Sequence, residues 1–145
     1  MKIAVMGYSG AGKSTLAKKL GRLYDCPVLY LDRIQFEPGW KERDREEAKR
    51  MAEAFLNENQ DTGWIIDGNY AKFSQERRLA EADLIVFMDY TRRICLWQAV
   101  KRYLEYRDKT RESMAEGCRE KIDWDFVKWI LRDGRDENHS YRSIK

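Results

Sequence analysis

The sequence is poor in cysteine, histidine and proline, and each shortage excludes a class of protein. Its three cysteines are scattered and form no Cys-x-x-Cys pair, which excludes a disulfide framework and a zinc knuckle. The single histidine, His139, cannot build a histidine-rich metal site or an ordinary Ser-His-Asp triad. The two prolines, Pro27 and Pro38, form no proline-rich linker. We therefore expect a protein of a reducing compartment, the cytoplasm, without a boundary between domains.

Long hydrophobic runs are also missing. No stretch approaches the roughly 18 consecutive apolar residues of a membrane-spanning helix, so no membrane partner is expected. Apolar residues still make up 43% of the chain and aromatic residues 12%, which is enough for a core despite 37% charged residues. The length of 145 residues predicts a single domain, 1–145. The formal net charge of +3 is too balanced to require a nucleic-acid partner.

The apolar residues recur in a pattern that alternates strands with helices. Short apolar runs predict four strands, at 2–7, 28–32, 64–67 and 83–89. Helical spacing predicts helices from Ser14 to before Pro27, and at 44–57, 73–82, 91–107 and 123–131. Nearly continuous apolar strands that alternate with helices are typical of a parallel sheet buried on both faces. We therefore predict a three-layer α/β/α fold with about four parallel strands and flanking helices.

A phosphate-binding motif follows the first predicted strand. Residues 7–14 match G-x-x-x-x-G-K-[ST], the P-loop motif, and a predicted helix begins at its lysine. The glycines let successive backbone N–H groups point at a phosphate, and the helix adds its positive end. The lysine reaches the β- and γ-phosphates, and the hydroxyl of Ser14 suits Mg²⁺. The residues predicted to bind the nucleotide are Gly7, Tyr8, Ser9, Gly10, Ala11, Gly12, Lys13, Ser14 and Thr15.

Three predicted strands end in an aspartate, and one of these aspartates is expected to act with the metal. The three are Asp32, Asp67 and Asp89. Carboxylates at strand ends line the crevice where α/β folds bind ligands. Asp67 is favoured because Gly68 follows it and permits a close approach of backbone or substrate. Capping and turn formation are the alternative for all three, and they explain Asp89 well because a predicted helix follows it.

A polar segment at 105–121 lies between two predicted helices. It is the pattern expected of a mobile lid, which excludes water so that phosphoryl transfer competes with hydrolysis. A plain surface connection is the alternative. Phosphoryl transfer needs cations, because its charge is neutralised without covalent help. Among many arginines, Arg102 and Arg107 are best placed, where the preceding helix enters the segment.

Several stretches together resemble a known family. They are KIAVMGYSGAGKSTLAKKL, VLYLD with PGW, WIIDGNY, AEADLIVFMD, and MAEGC with DWDFVKWIL. They resemble the DNA topology modulation proteins (FlaR-related), which look like members of the adenylate-kinase-like group of P-loop kinases. The resemblance covers residues 1 to about 135. The combination of WIIDGNY, MAEGC and DWDFVKW is more specific than the P-loop alone.

The resemblance implies an ATP site at residues 7–15. It implies that Asp67 is similar to the aspartate that orients Mg²⁺ and its waters in these kinases. It suggests that Asp32 and the PGW loop face the phosphoryl acceptor. Arg102 resembles the arginine at the lid entry of adenylate kinases. The metal ligands are then Ser14 and Asp67.

Two departures from the family pattern matter. Related proteins usually continue with a further strand and helix that help to hold the adenine, whereas residues 136–145 here do not form an apolar strand pattern. The base site is then either incomplete or completed by another subunit, which would make the protein a homo-oligomer. The cysteine-ligated zinc of some adenylate kinase lids is excluded, because Cys118 is the only cysteine of that region.

Two functions remain at this point. The favoured one is Mg-ATP-dependent phosphoryl transfer to a small acceptor, such as a nucleotide-like one, with Lys13, Asp32, Asp67, Arg102 and Arg107 as the catalytic set. The alternative is an ATP-dependent regulatory protein that affects DNA topology without efficient transfer. Direct DNA binding is not favoured: the basic, aromatic face around Arg102 has the pattern of an ordinary amphipathic helix, and no helix-turn-helix or zinc module stands out.

Overall fold

Strands and helices alternate along the computed structural model, which describes residues 1–107 and 109–135. The strands are β1 (Lys2–Gly7), β2 (Val28–Tyr30), β3 (Phe36–Glu37), β4 (Lys41–Glu42), β5 (Trp64–Asp67) and β6 (Leu84–Met88). The helices are α1 (Lys13–Tyr24), α2 (Leu31–Gln35), α3 (Arg45–Glu58), α4 (Gln75–Glu81), α5 (Arg92–Tyr106) and α6 (Trp124–Leu131). Single 3₁₀ turns lie at Pro38–Trp40 and Asp133–Arg135.

The central sheet has four parallel strands in the order β2-β5-β1-β6. β1 pairs on both sides, so that Ile3 lies opposite Ile65 on one neighbour and Leu84 on the other. Its central position explains its sequence: residues 3–6 are apolar and buried. β3 and β4 form a separate antiparallel hairpin. The predicted parallel sheet of about four strands is confirmed.

Helices cover both faces of the sheet. Successive strand residues point to opposite faces, and they divide between two cores. Ala4 and Ile66 pack with α2 and α3, whereas Val5 and Ile65 pack with Ala17 of α1. The fold therefore has the three α/β/α layers that the sequence predicts. Within the described residues, no helix is both long enough and apolar enough to cross a membrane.

The helix starts are set by local signals. Gly12, in the left-handed region with φ 87°, precedes the first turn of α1. The side chain of Asp44 accepts from the Glu47 N–H and caps α3. Asp123 caps α6 by accepting from the Phe126 N–H at 2.8 Å.

One predicted strand is too long. The apolar run at 28–32 was expected to be extended throughout, but β2 ends at Tyr30 and α2 begins at Leu31. Leu31 and Ile34 are buried together in the core beneath α3, which favours the helical spacing of three residues. Asp32 therefore lies in the first turn of a helix, not at a strand end. Residues 136–145, including His139, lie outside the described residues, as does the prediction made about them.

Candidate active site

A cleft of about 1490 Å³ opens at the carboxyl ends of the parallel strands. Parallel α/β sheets bind ligands at this edge. The cleft is lined by the loop after β1, the loop after β5, the start of α2, the second half of α5 and part of the segment at 111–123. The sequence-predicted residues Lys13, Ser14, Asp32, Asp67 and Arg102 all line it.

The loop after β1 turns tightly because of its glycines. Gly7, Gly10 and Gly12 have φ of 137°, 80° and 87°, a region that residues with a Cβ rarely occupy. A Cβ on Gly7 would lie 2.5 Å from the Met88 carbonyl oxygen, so β6 leaves no space for a side chain there. The ammonium group of Lys13 donates to the Tyr8 carbonyl across the loop at 3.0 Å. This is the curved backbone with a lysine at its mouth that the motif predicts.

Ser14 and Asp67 meet at the base of the loop. The Ser14 hydroxyl donates to Oδ2 of Asp67 at 2.6 Å. Asp67 is 5% exposed, and among the described residues its other oxygen, Oδ1, is buried without a hydrogen-bond partner. Burial raises the pKa of Asp67 to about 6, against the lowering effects of Lys13 and of the Ser14 hydrogen bond.

The Ser14–Asp67 pair fits a magnesium site. Mg²⁺ prefers oxygen ligands and binds through one or two protein groups together with substrate phosphates. An unpartnered carboxylate oxygen beside a hydroxyl, at the mouth of a phosphate-binding loop, is the donor set that such an ion needs. A bound cation would also relieve the cost of holding the Asp67 carboxylate ionised in a buried position.

The loop after β5 is tied to the phosphate-binding loop by Asn69. The Gly7 N–H donates to Oδ1 of Asn69 at 3.0 Å, and Nδ2 of Asn69 donates to the Gly7 carbonyl at 2.8 Å. Gly68, the residue between Asp67 and Asn69, has φ 135°, and a Cβ on it would lie 2.9 Å from Cβ of Leu31. The glycine after Asp67 is thus required by close packing against α2.

Asp32 faces the same cleft and is paired with Tyr70. The Tyr70 hydroxyl donates to Oδ1 of Asp32 at 2.6 Å. Burial, and then the nearby charge of Asp32, raise the pKa of Tyr70, so its hydroxyl remains a donor. The contact joins the first turn of α2 to the loop after β5.

A buried arginine supports this loop from behind. Arg78 of α4 is fully buried, and it donates to the carbonyls of Tyr70 at 2.6 Å and Phe73 at 2.8 Å, with a longer bond to Gly68 at 3.4 Å. Burial lowers the pKa of Arg78 to about 10, so it stays protonated at neutral pH. Arg78 therefore fixes the turn that carries Tyr70. No local pattern distinguishes it from its neighbour Arg77, which pairs with Glu53 and Glu81.

Two arginines reach the cleft from its open side. Arg102 of α5 and Arg111 of the following segment both pair with Glu120. Burial, and then the proximity of Arg102, lower the pKa of Arg111. The sequence pattern indicates Arg102 but not Arg111, whose position depends on how the segment folds back onto the cleft.

Two other charged residues do not reach the site. Arg107, which the sequence also suggests as a catalytic residue, is exposed just after α5 ends and does not line the cleft. The reason is geometric: the chain leaves the helix at Tyr106, and the return to the cleft is made by Arg111. Asp89 is exposed after β6 and is also absent from the cleft lining.

The segment at 111–120 packs onto the β3–β4 hairpin. Met114, Ala115 and Cys118 form a small apolar cluster with Phe36 and Trp40. The Trp40 indole N–H donates to the Arg119 carbonyl at 3.0 Å, and the Trp40 backbone N–H donates to Cys118 Sγ at 3.4 Å. The sequence predicts a polar segment, but its centre at Met114, Ala115 and Cys118 is apolar and buried. This centre closes one side of the cleft.

Two solved structures resemble the chain distantly. No protein-family model and no curated protein sequence matches the chain. Among solved structures, shikimate kinase from Bacteroides thetaiotaomicron is 20% identical, with a TM-score of 0.46, over 92% of this chain and 78% of that chain. Deoxyadenosine kinase from M. mycoides is 14% identical, with a TM-score of 0.37, over 70% of each chain. The resemblance to DNA topology modulation proteins remains a prediction.

Proposed function

We propose that this chain is a P-loop phosphotransferase that binds Mg-ATP and transfers the γ-phosphoryl group to a hydroxyl or phosphate group of a small acceptor. One observation carries the proposal. The Ser14–Asp67 pair, at the mouth of the phosphate-binding loop, and the Asp32–Tyr70 pair line one cleft. A nucleotide half-site and an acceptor half-site in one cavity suit transfer between two bound ligands.

On the nucleotide side, the backbone of residues 7–15 and the Lys13 ammonium group bind the phosphates. Lys13 exchanges its contact with the Tyr8 carbonyl for a phosphate oxygen. Ser14 and Asp67 would hold Mg²⁺, which would neutralise part of the phosphate charge. These contacts act most strongly in a cleft from which water is excluded.

On the acceptor side, Asp32 orients the attacking group. Where that group is a hydroxyl, Asp32 accepts its proton as the new O–P bond forms and the bond between the γ-phosphorus and the bridging oxygen of ADP breaks. The Tyr70 hydroxyl occupies Oδ1 of Asp32, which leaves Oδ2 for the acceptor. Tyr70 is in turn held by Arg78 through its carbonyl. The acceptor therefore meets an oriented carboxylate.

Across the cleft, Arg102 and Arg111 neutralise the charge of the group in transfer. The segment at 111–120 acts as the lid: it carries Arg111 and excludes water from this side. The proposed lid is therefore shorter than the predicted 105–121 and comprises residues 111–120, which pack on the β3–β4 hairpin. Arg107 is given no part in this mechanism.

Transfer of label from γ-labelled ATP tests the proposal. The protein is incubated with Mg²⁺, labelled ATP and a panel of nucleoside monophosphates, nucleosides and small hydroxylated metabolites. Label should move to one class of acceptor, and Lys13→Ala should lower the rate by about 10²-fold or more, because it removes a charge that stabilises the transition state. Lys19→Ala, an exposed lysine of the same helix, is the control and should retain the rate.

Tight binding of ATP without transfer to any acceptor would contradict the proposal. It would favour the alternative of a nucleotide-dependent regulatory protein. Binding of DNA that rises with ATP and falls steeply with salt would then support a nucleic-acid partner.

A further inference from the structure

One buried carboxylate, Glu120, joins the two arginines of the cleft. Its side chain is 5% exposed, and the same oxygen, Oε1, contacts Nε of Arg111 and lies 3.2 Å from Nε of Arg102. Arg102 belongs to α5, whereas Arg111 and Glu120 belong to the segment that follows it. Glu120 is therefore the point at which the segment is attached to the helix beside the cleft.

The charge of this cluster suits a ligand. Two guanidinium groups and one carboxylate leave one positive charge in excess beside a cavity that also holds Asp32 and Asp67. Without Glu120, the two like charges would repel each other, and neither would keep its place at low dielectric. A buried carboxylate that forms an ion pair with both cations holds both guanidinium groups beside itself.

We propose that Glu120 is a positioning residue that holds Arg102 and Arg111 side by side toward the group in transfer. The inference rests on the proposed function, because the group that the arginines receive is the phosphoryl group. Glu120 does not touch substrate in this account. It acts through the arginines by keeping both in place before the ligand arrives, so that no reorganisation is needed during transfer.

The arrangement is tested first without any ligand, by NMR of the arginine Nε–H groups. Arg102→Lys and Arg111→Lys assign the two signals, and the exposed Arg107 is the internal reference. In the wild-type protein, both Nε protons should exchange with water at least about tenfold more slowly than that of Arg107, because both nitrogens are buried beside the Glu120 carboxylate. In Glu120→Gln the protection of both should be lost. Fast exchange in the wild type, or protection that survives in Glu120→Gln, overturns the proposal.

The second measurement separates positioning from a merely structural role. The affinities for Mg-ATP and for Mg-ADP with aluminium fluoride, a stand-in for the phosphoryl group in transfer, are compared between wild type and Glu120→Gln. In Glu120→Gln we expect the affinity for the fluoride complex to fall by about 10²-fold, because misplaced catalytic groups cost about this much. The affinity for Mg-ATP should stay the same or rise. Equal loss of both affinities, or no loss, overturns the proposal.

Two variants keep the test interpretable. Glu116→Gln removes an exposed glutamate of the same segment and should change neither affinity. Glu120→Asp retains the charge but is too short to reach both arginines, so it should fold and still lose about 10-fold in the fluoride complex. If the wild type binds no nucleotide at all, the proposed function fails, whereas the exchange measurement still decides whether Glu120 holds the arginines.

Discussion

The Asn69 side chain makes two hydrogen bonds with the backbone of Gly7: it accepts from the Gly7 N–H at 3.0 Å and donates to the Gly7 carbonyl at 2.8 Å. The pairing of β1 with β5 ends at Val5 and Asp67, so the Asn69 carboxamide takes the place of β5 as the hydrogen-bonding partner of Gly7. The loop after β5 and the loop after β1 are held as one unit. Asp67 and Ser14 therefore keep their mutual position without relying on their own contact.

Replacement of Asn69 by Ala should loosen this unit. Two hydrogen bonds are lost and two polar groups of Gly7 are left unpaired, so we expect a loss of about 1–3 kcal/mol in the free energy of unfolding. The affinity for Mg-ATP should also fall, because the phosphate-binding loop is no longer held in its binding conformation. Urea denaturation and calorimetric titration measure both. Asn59→Ala, which removes one bond at the end of α3, should leave the affinity unchanged.

Asp67 should make the protein less stable as pH rises through its own titration. Its pKa is raised in the fold from 3.8 to about 6, so between these values the folded state binds more protons than the unfolded chain. Without Mg²⁺, stability therefore falls from about pH 4 to pH 6, by about 3 kcal/mol for a full shift of this size. Asp67→Asn should remove this slope in urea denaturation, and should be more stable than wild type at pH 7.5.

The same variant should fail to bind the metal. Asn69 and the glycines keep the loop folded, so Asp67→Asn is expected to retain nucleotide affinity without Mg²⁺ while losing the increase that Mg²⁺ confers on the wild type. A variant that is no more stable than wild type at pH 7.5, and keeps the Mg²⁺ effect, would contradict the assignment of Asp67.

Tyr70→Phe should impair the reaction more than it impairs binding. It removes the hydroxyl that orients Asp32 and leaves the ring in place, so we expect the turnover rate to fall by about 10-fold or more with little change in the KM for ATP. Tyr24→Phe, an exposed tyrosine on α1, serves as the matched control. Equal rates for the two variants would exclude a role for the Asp32–Tyr70 contact.

Adjacent arginines on α4 should behave differently when each is replaced by lysine. Lysine cannot reach the three carbonyls that Arg78 contacts, so Arg78→Lys should lower the free energy of unfolding by about 2–4 kcal/mol. Arg77→Lys alters pairs near the surface and should cost less than about 1 kcal/mol. Urea denaturation of the two variants decides the matter, and equal losses would show that Arg78 does not support the loop.

Local patterns account for the parts of the site that lie close together in sequence. The phosphate-binding loop is encoded by glycines at fixed spacing next to a strand and a helix, so Lys13 and Ser14 could be placed from the sequence. Asp67 could be found as the aspartate between a buried strand and a glycine. The helix that begins at Leu31 could not be predicted, because its apolar residues also fit a strand pattern. Their packing against α3 is what favours the helix.

Residues that act through tertiary contacts escaped prediction. Arg111 and Glu120 look like ordinary charged residues of a polar segment, and only the return of that segment to the cleft distinguishes them from Arg107. Arg78 has the same local surroundings as Arg77, and its role follows from burial behind the loop after β5. Burial of a charged side chain depends on the whole fold and leaves no periodic signal.

The hydrogen bond from the Trp40 indole to the Arg119 carbonyl places a fluorophore at the seam between the hairpin and the segment at 111–120. Tryptophan emission shifts to longer wavelength when the indole becomes hydrated. Trp64, fully buried in the sheet, provides an emission that separation of the seam leaves unaltered. With Trp97, Trp124 and Trp129 replaced by phenylalanine, the emission of Trp40 would report in real time, without an attached dye, whether this side of the cleft is open or closed.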